Sequence, residues 1–309
     1  MTGRLRQENN PFDLNDDEAY QLWRTRKLKV QPAAGTGLIV PIKNIKRLQK
    51  DETAALLRLM QCTNMAIYDT GRTSDADKDF VRYLGLGFGL TRLDGNPYSD
   101  ADDISSITVK PLDQGARYIP YTDRPISWHT DGYYNPPEGQ VRSFILHCAC
   151  AAVMGGENRL LDPEIAYIHL RDENPDYIHA LMASDAMSIP ANEVNDFITR
   201  PLQSGPVFSV APDGALHMRF TARKRHVIWS DDPMVRQAIA ALIALLDSDS
   251  PFIYRHRLEA GQGLIANNVL HNRSVFTEDS EAATARLLYR ARYQDRVRGT
   301  GPDKFLEAI

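Results

Sequence analysis

The sequence predicts a mainly β domain with helical insertions and an α/β flank. Strand-like segments broken by turn residues dominate three stretches, at 120–155, 206–221 and 252–295. Helix-like segments lie between these stretches, and residues 1–115 alternate between the two types. We therefore expect one domain over 1–309, with an α/β flank at 1–115 and a β core with a helical insertion at 116–300.

In the flank, the segment at 15–28 (NDDEAYQLWRTRKL) begins with Asn15 and three acids. Residues of this kind are favoured at the amino end of a helix. The segment at 51–61 repeats the pattern, whereas 37–42 and 64–71 are short apolar runs next to Gly or Pro. These features predict two helices and two strands.

In the second half, a Pro-Pro-Glu-Gly turn at 136–139 separates two strand-like runs. Two helices should then begin at Asp162-Pro163 and near Asn174-Pro175, because a capping residue followed by proline favours a helix start. Asp213-Gly214 predicts a hairpin. The segment at 231–249 has another Asp-Pro start and an apolar stripe at three- and four-residue steps, which predicts a further helix.

Composition and charge restrict the function. The chain has 309 residues, of which 43% are hydrophobic and 25% charged, as in ordinary globular proteins. A net charge of -4 disfavours nucleic acid or an anionic membrane as a partner. No apolar run approaches the roughly 18 residues of a membrane span. The composition is compatible with a homo-oligomer.

The cysteines and the amino terminus indicate the compartment. Three cysteines, Cys62, Cys148 and Cys150, are too few for a disulfide framework and fit a reducing environment. The first residues contain no apolar signal core. We expect a cytoplasmic protein.

A histidine and an aspartate two residues apart, His129 and Asp131, follow Trp128 in a strand-like run. Residues i and i+2 of a strand point to the same side, so both side chains can converge on one point. They would supply one histidine and the carboxylate of a 2-His-1-carboxylate triad, an arrangement that leaves coordination positions of iron open. Alone, such a pair is more often an ordinary surface or core pair.

A third ligand must come from a distant strand. Seven other histidines are candidates: His147, His169, His179, His217, His226, His256 and His271. His169 and His179 lie on predicted helices among polar neighbours, and the arginines beside His256 disfavour a cation. His147, His217 and His226 stay candidates, although core or surface roles suit them better. His271 ends a β run that follows the Gly261-Gln262-Gly263 turn.

Four motifs occur in a specific order: WHTDG at 128–132, GGEN at 155–158, GLIANNVLHNR at 263–273 and RLLYR at 286–290. Together they resemble the taurine / 2,4-dichlorophenoxyacetate dioxygenase family of Fe(II)- and 2-oxoglutarate-dependent oxygenases. The resemblance covers roughly 120–295, and the separation of His129 from His271 is 142 residues (271 − 129). It implies a double-stranded β-helix, or jelly-roll, core with flanking helices.

The resemblance also implies the functional residues. Fe(II) would be bound by His129, Asp131 and His271, and Arg286 would hold the far carboxylate of 2-oxoglutarate. Asn158 stands where the family often has a hydroxyl residue at that carboxylate. Arg290, on the same strand face as Arg286, would contact the cosubstrate or an anionic group of the substrate. The alternative of a structural ion pair at Arg290 stays open.

The implied reaction consumes 2-oxoglutarate and O2 and oxidises a small, anionic organic molecule, most simply by hydroxylation, with release of succinate and CO2. Two alternatives remain at this stage: a zinc hydrolase on the same His/Asp/His set, and an inactive binding protein of this fold. Arg286 and Arg290 disfavour the hydrolase, which needs no clamp for a 2-oxo acid. Substrate identity lies beyond the sequence, because one fold hosts many reactions.

Overall fold

Two sheets form the framework of the computed structural model, which describes residues 10–32, 36–45, 47–71, 77–95, 99–111, 118–194, 197–278 and 285–302. The helices are α1 (Asp17–Lys29), α2 (Lys50–Thr63), α3 (Lys78–Gly87), α4 (Pro163–Glu173), α5 (Pro175–Leu181) and α6 (Pro233–Asp247). The strands are β1 (Ile39–Pro41), β2 (Met65–Asp69), β3 (Ser105–Ile107), β4 (Ile126–His129), β5 (Ser143–Cys150), β6 (Met154–Gly155), β7 (Asn158–Leu161), β8 (Met187–Ile189), β9 (Asn192–Val194), β10 (Phe197–Arg200), β11 (Gln203–Gly205), β12 (Phe208–Val210), β13 (Leu216–Met218), β14 (Ile228–Trp229), β15 (Tyr254–His256), β16 (Gln262–Ala266), β17 (Leu270–Arg273), β18 (Phe276–Thr277) and β19 (Leu287–Tyr293).

The larger sheet has six strands in the order β1-β2-β16-β5-β19-β3. β1 and β2 are parallel, and the remaining neighbours are antiparallel. The smaller sheet has the order β15-β7-β17-β4 and is antiparallel throughout. Strands far apart in sequence thus become neighbours, which brings the motifs at 128–132 and 263–273 together.

Apolar side chains fill the space between the two sheets. Ile67, Phe144 and Leu264 of the larger sheet share one buried cluster with Leu160 and Tyr254 of the smaller sheet. Each of these residues is at most 3% exposed. The burial of two apolar faces against each other is the main force that holds such sheets together.

Helices cover the outer faces. α2 and α3 pack on the larger sheet, where Gly85 of α3 permits the closest approach: a Cβ there would lie 2.5 Å from the Tyr293 hydroxyl. α1, α4, α5 and α6 pack with the outer face of the smaller sheet and with the β12–β13 hairpin. In the part of the chain that the structure describes, no helix has the length and apolar character needed to cross a membrane.

The predicted helix starts are confirmed. The side chains of Asp162, Asn174 and Asp232 accept hydrogen bonds from backbone N–H groups two residues later, and proline follows each of them. The hairpin at Asp213-Gly214 is also confirmed. The first helix differs slightly, because Asp16 rather than Asn15 provides its amino-terminal cap. The short strands between α5 and β12 were not predicted.

Candidate metal and cosubstrate site

The paired strands β4 and β17 carry the two histidines of the predicted triad. His129 and His271 stand opposite each other in the register, and their ring centroids are 4.2 Å apart. One ligand atom from each of His129, Asp131 and His271 lies within 4.8 Å of the others. The structure therefore brings together three residues that are separated by up to 142 positions in the chain (271 − 129).

Asp131 reaches the cluster from a turn, because β4 ends at His129. The prediction that His129 and Asp131 lie on one strand is therefore wrong. The turn depends on Gly132, whose φ of 65° is unfavourable for other residues. A Cβ at Gly132 would also lie 2.5 Å from Val141. Gly132 therefore fixes the direction from which the carboxylate approaches the histidines.

Asn268 also holds Asp131 in position, a role that was not predicted from the sequence. Its side-chain oxygen accepts a hydrogen bond from the Asp131 backbone N–H at 2.7 Å. Its amide donates to the backbone oxygens of Asp131 at 2.9 Å and Val141 at 2.6 Å. A φ of 50° marks a left-handed residue, a conformation that Asn tolerates better than most. Its side chain thus ties the turn after β4 to the chain that leads into β17.

Both imidazoles are arranged to offer Nε2. Nδ1 of His129 lies 2.9 Å from the Ser127 carbonyl, and Nδ1 of His271 lies 2.9 Å from the Val269 carbonyl. Because a carbonyl only accepts, each Nδ1 must carry the proton, and Nε2 keeps its lone pair. Burial lowers the pKa of His271 to about 3, with His129 adding to the effect, so this ring is neutral near pH 7.

The carboxylate of Asp131 is held in its charged form. Burial alone would raise its pKa, but Arg290 beside it holds that pKa well below the usual range. Arg290 Nη1 lies 3.4 Å from Asp131 Oδ1, while Oδ2 is buried without a hydrogen-bond partner among the described residues. Two neutral imidazoles and one carboxylate with an unsatisfied oxygen are a donor set that fits Fe(II).

A pocket lies beside the cluster, and Asn158 and Arg286 both line it. Arg286 is 7% exposed and packs over the Phe276 ring at 4.4 Å. Among the described residues, no acid forms an ion pair with its guanidinium, and burial lowers its pKa. Asn158 donates a hydrogen bond to the Asn272 carbonyl at 2.8 Å, which places the pocket next to His271.

Arg257 also lines this pocket, and the sequence analysis did not assign it a role. One terminal nitrogen donates to the backbone oxygens of Ala152 and Val153, while its Nε is buried without a partner among the described residues. The pocket therefore holds two cationic side chains. The sequence offered little signal for Arg257, because its neighbours Arg255 and His256 made the segment resemble a surface.

The two arginines of β19, Arg290 and Arg292, have different partners. The expected partner of Arg290 is the cosubstrate, an anionic group of the substrate or the acid of a structural ion pair. In the structure Asp131 lies beside it, with Nη1 3.4 Å from Oδ1. Arg292 forms an ion pair with Asp94 at 2.5 Å and donates a hydrogen bond to the Tyr134 hydroxyl at 2.9 Å.

The rival histidines lie elsewhere. His147 is buried, with Nδ1 3.1 Å from the Tyr68 hydroxyl, and it stacks on Tyr68 and Tyr289. His217 lines a separate pocket with Arg142 and Arg296. Within the part of the chain that the structure describes, the three predicted ligands form the one cluster with the arrangement of a metal site.

A profile of the family described as taurine catabolism dioxygenase TauD, TfdA matches residues 25–292. The chain belongs to this family. The match confirms the resemblance inferred from the motifs and extends it into the flank. The protein is therefore a non-haem Fe(II)- and 2-oxoglutarate-dependent dioxygenase that uses O2, which decides against the zinc hydrolase and the inactive binding protein.

Similar proteins agree with this assignment. A uridine-5'-phosphate dioxygenase from Amycolatopsis sp is 30% identical over 223 residues, which are 69% of this chain and 74% of that protein. The solved structure of the non-haem iron oxygenase OrfP with iron, succinate and (3S)-hydroxy-L-Arg has a TM-score of 0.59 at 16% identity, covering 81% of this chain and 82% of that one. An asparagine oxygenase with Fe(II), 2S,3S-3-hydroxyasparagine and succinate has a TM-score of 0.54 at 15% identity, covering 79% and 78%. The two structures share the fold of this chain.

Proposed function

We propose that this dioxygenase hydroxylates a small, anionic organic molecule at the site formed by His129, Asp131 and His271, with conversion of 2-oxoglutarate to succinate and CO2. The observation that carries the proposal is the convergence of these three side chains beside a pocket that contains Arg286. An enzyme with this chemistry needs a metal with open positions and a cation for the cosubstrate, and the site offers residues for both.

The fold that we propose is a double-stranded β-helix, formed by 116–300 and flanked by 1–115 in a single domain. Two facing sheets with interleaved strand order support it. The structural similarity to two oxygenases over about four fifths of the chain supports it as well.

In this proposal, Nε2 of His129, Nε2 of His271 and the Asp131 carboxylate hold Fe(II). Bound iron, together with 2-oxoglutarate and O2, supplies the oxidant that removes a hydrogen from the substrate. The protein contributes the positions of these ligands. The carbonyls of Ser127 and Val269 keep both rings in the required tautomer, and Asn268 holds the Asp131 turn.

Arg286 would pair with the far carboxylate of 2-oxoglutarate, because an arginine can bind a carboxylate with two parallel hydrogen bonds. Asn158 would contribute its remaining amide hydrogen, since the other one is donated to Asn272. Arg257 lines the same pocket and would raise the local positive potential. Arg286 has no ion-pair partner among the described residues, although the charge of Glu278 acts on it, and a dianionic cosubstrate would offset the cost of burying its charge.

Arg290 would contact either the cosubstrate or an anionic group of the substrate. Its Nε is buried without a hydrogen-bond partner among the described residues. Uridine 5'-phosphate, which names the relative from Amycolatopsis sp, is an anion. The hydroxyarginine and hydroxyasparagine in the structures of OrfP and asparagine oxygenase are amino acids, each with a carboxylate. These ligands support a substrate that carries an anionic group.

The test is the formation of succinate from 2-oxoglutarate by the iron-loaded protein, with small anions added as substrates. We expect His129→Ala, Asp131→Ala and His271→Ala each to abolish turnover while the far-UV circular dichroism stays native. Full activity of any of these variants with iron present would remove that residue from the proposed triad.

A further inference from the structure

A short basic run, Arg223 to Arg225, lies next to the proposed metal site. The chain before it pairs with β4: Thr130 N–H donates to Phe220 O at 3.0 Å, and Ala222 N–H donates to Trp128 O at 2.8 Å. Thr221 therefore stands opposite His129. Because side chains alternate along an extended chain, Arg223 lies on the same side as Thr221. Within the run, Arg223 is half-buried, whereas Lys224 and Arg225 are exposed.

Two adjacent tyrosines connect this run to the metal site. The Tyr133 ring lies 6.5 Å from the His129 ring, and the Tyr134 ring lies 5.2 Å from that of Tyr133. The guanidinium of Arg223 lies within hydrogen-bonding distance of the Tyr133 hydroxyl. Arg200 lies over the Tyr134 ring at 5.7 Å. Arg223 and Arg200 thus both lie beside the tyrosine pair, Arg223 at Tyr133 and Arg200 at Tyr134.

Neither arginine forms an ion pair with any side chain that the structure describes. Arg200 donates to the backbone oxygens of Pro190 at 2.7 Å and Pro201 at 3.4 Å, which leaves three of its five N–H groups for another acceptor. Burial lowers the pKa of Arg200. His226 lies close enough to both arginines for their charges to add to the effect of burial in lowering its pKa.

Two neighbouring arginines, Arg219 and Arg292, have the partners expected of a structural role. All three nitrogens of the Arg219 guanidinium donate to backbone oxygens, those of Tyr133, Met187 and Gln203. Arg292 has Asp94 as an ion-pair partner and also donates to the Tyr134 hydroxyl. Because that hydroxyl accepts from Arg292, its own proton is directed elsewhere. Among the described residues, Arg200 donates to two backbone oxygens and Arg223 hydrogen-bonds to the Tyr133 hydroxyl, and neither has an acidic partner.

We propose that Arg200 and Arg223, together with the hydroxyl of Tyr134, bind a phosphomonoester group of the substrate. This inference rests on the proposed function and specifies its substrate class. A phosphomonoester carries about two negative charges and three acceptor oxygens, which match two guanidinium groups and a hydroxyl better than a carboxylate does. The uridine-5'-phosphate dioxygenase to which the chain is similar bears the name of such a compound.

The test measures binding of inorganic phosphate to the anaerobic protein loaded with Fe(II) and 2-oxoglutarate, by isothermal titration calorimetry. We expect Arg200→Gln and Arg223→Gln each to weaken phosphate binding by at least about tenfold, since each removes one charged hydrogen-bonding partner. Lys224→Gln and Arg225→Gln are matched controls from the same basic run, and they should change the affinity for phosphate by less than about twofold.

A second measurement compares compounds in pairs. Succinate formation is followed with uridine 5'-phosphate against uridine, and with other phosphomonoesters against their alcohols. We expect a phosphorylated member to stimulate turnover, with a KM that rises in the Arg200 and Arg223 variants more than kcat falls. Absence of phosphate binding at about 10 mM, equal weakening in the controls, or stimulation by carboxylates alone would each overturn the inference.

The same samples separate this inference from the proposed function. The visible absorption band that forms when 2-oxoglutarate binds to Fe(II) should be unchanged in all four variants. If the unmodified protein lacks this band, the proposed metal and cosubstrate site is wrong. If the band is present but phosphate binding does not depend on Arg200 and Arg223, only the phosphate subsite is wrong.

Discussion

Replacement of Asn268 tests how the site is held together. Its side chain makes three buried hydrogen bonds, with the Asp131 N–H and with the Asp131 and Val141 oxygens. A buried hydrogen bond contributes about 1 kcal/mol net, so Asn268→Gly should lower the free energy of unfolding by about 3 kcal/mol. Asn268→Ala should cost about 1 kcal/mol more, because φ is 50° at this position and alanine disfavours that region.

The same replacement should weaken the metal site. Asn268 does not touch the metal in our proposal, but it positions Asp131, and loss of such a contact typically weakens metal binding about 10- to 100-fold. Urea unfolding of the apoprotein measures the first effect, and anaerobic Fe(II) titration measures the second. Asn268→Asp is the informative third variant: it keeps an acceptor for the Asp131 N–H but sets an oxygen against two carbonyls. The reasoning is refuted if Asn268→Gly unfolds within about 0.5 kcal/mol of the unmodified protein and binds Fe(II) equally well.

Three further predictions concern single side chains. Arg286→Leu should raise the KM for 2-oxoglutarate by on the order of 10- to 1000-fold, because loss of one partner of a buried charged pair costs roughly 2–5 kcal/mol. Arg257→Leu should raise this KM less. A larger increase in Arg257→Leu than in Arg286→Leu would exchange the roles of the two arginines. Arg290→Ala should reduce kcat/KM for an acidic substrate more than for its neutral amide analogue, whereas equal turnover of acid and amide by the unmodified enzyme would make Arg290 structural. Burial lowers the pKa of His217 to about 3, so below about pH 6.5 the unfolded chain takes up a proton that the folded chain does not, and stability should fall between about pH 6.5 and 3. Urea unfolding at pH 7 and 4.5 measures this decline in the free energy of unfolding. The decline should be smaller in His217→Gln than in the unmodified protein, and unchanged in the exposed variant His179→Gln. Identical declines in all three proteins would contradict the assignment.

The sequence predicted those features that depend on local chemistry. Asp162 and Asp232 begin helices because a short acceptor followed by proline has a local preference that the rest of the fold does not override. His129, Asp131 and His271 could be proposed because the residue types of an iron site are restricted, and family motifs selected among the histidines.

Features that depend on distant chain segments could not be predicted. Asn268 acts only because β17 returns beside β4, and nothing in its own neighbourhood indicates that geometry. Arg257 and Arg223 each lie in a run of charged residues, which resembles a solvated surface in the sequence. Their roles depend on which side of the run faces a pocket or a tyrosine, and tertiary packing decides that. The approach of Asp131 from a turn likewise depends on the contact of Gly132 with Val141.

The most direct test of the proposed site is the visible absorption of the anaerobic protein with Fe(II) and 2-oxoglutarate. The band should form in the unmodified protein and in His147→Gln, which removes a buried histidine outside the cluster. It should be lost in His271→Ala, with the far-UV circular dichroism of all three proteins alike. A band that persists in His271→Ala and disappears in His147→Gln would contradict the site proposed for this enzyme.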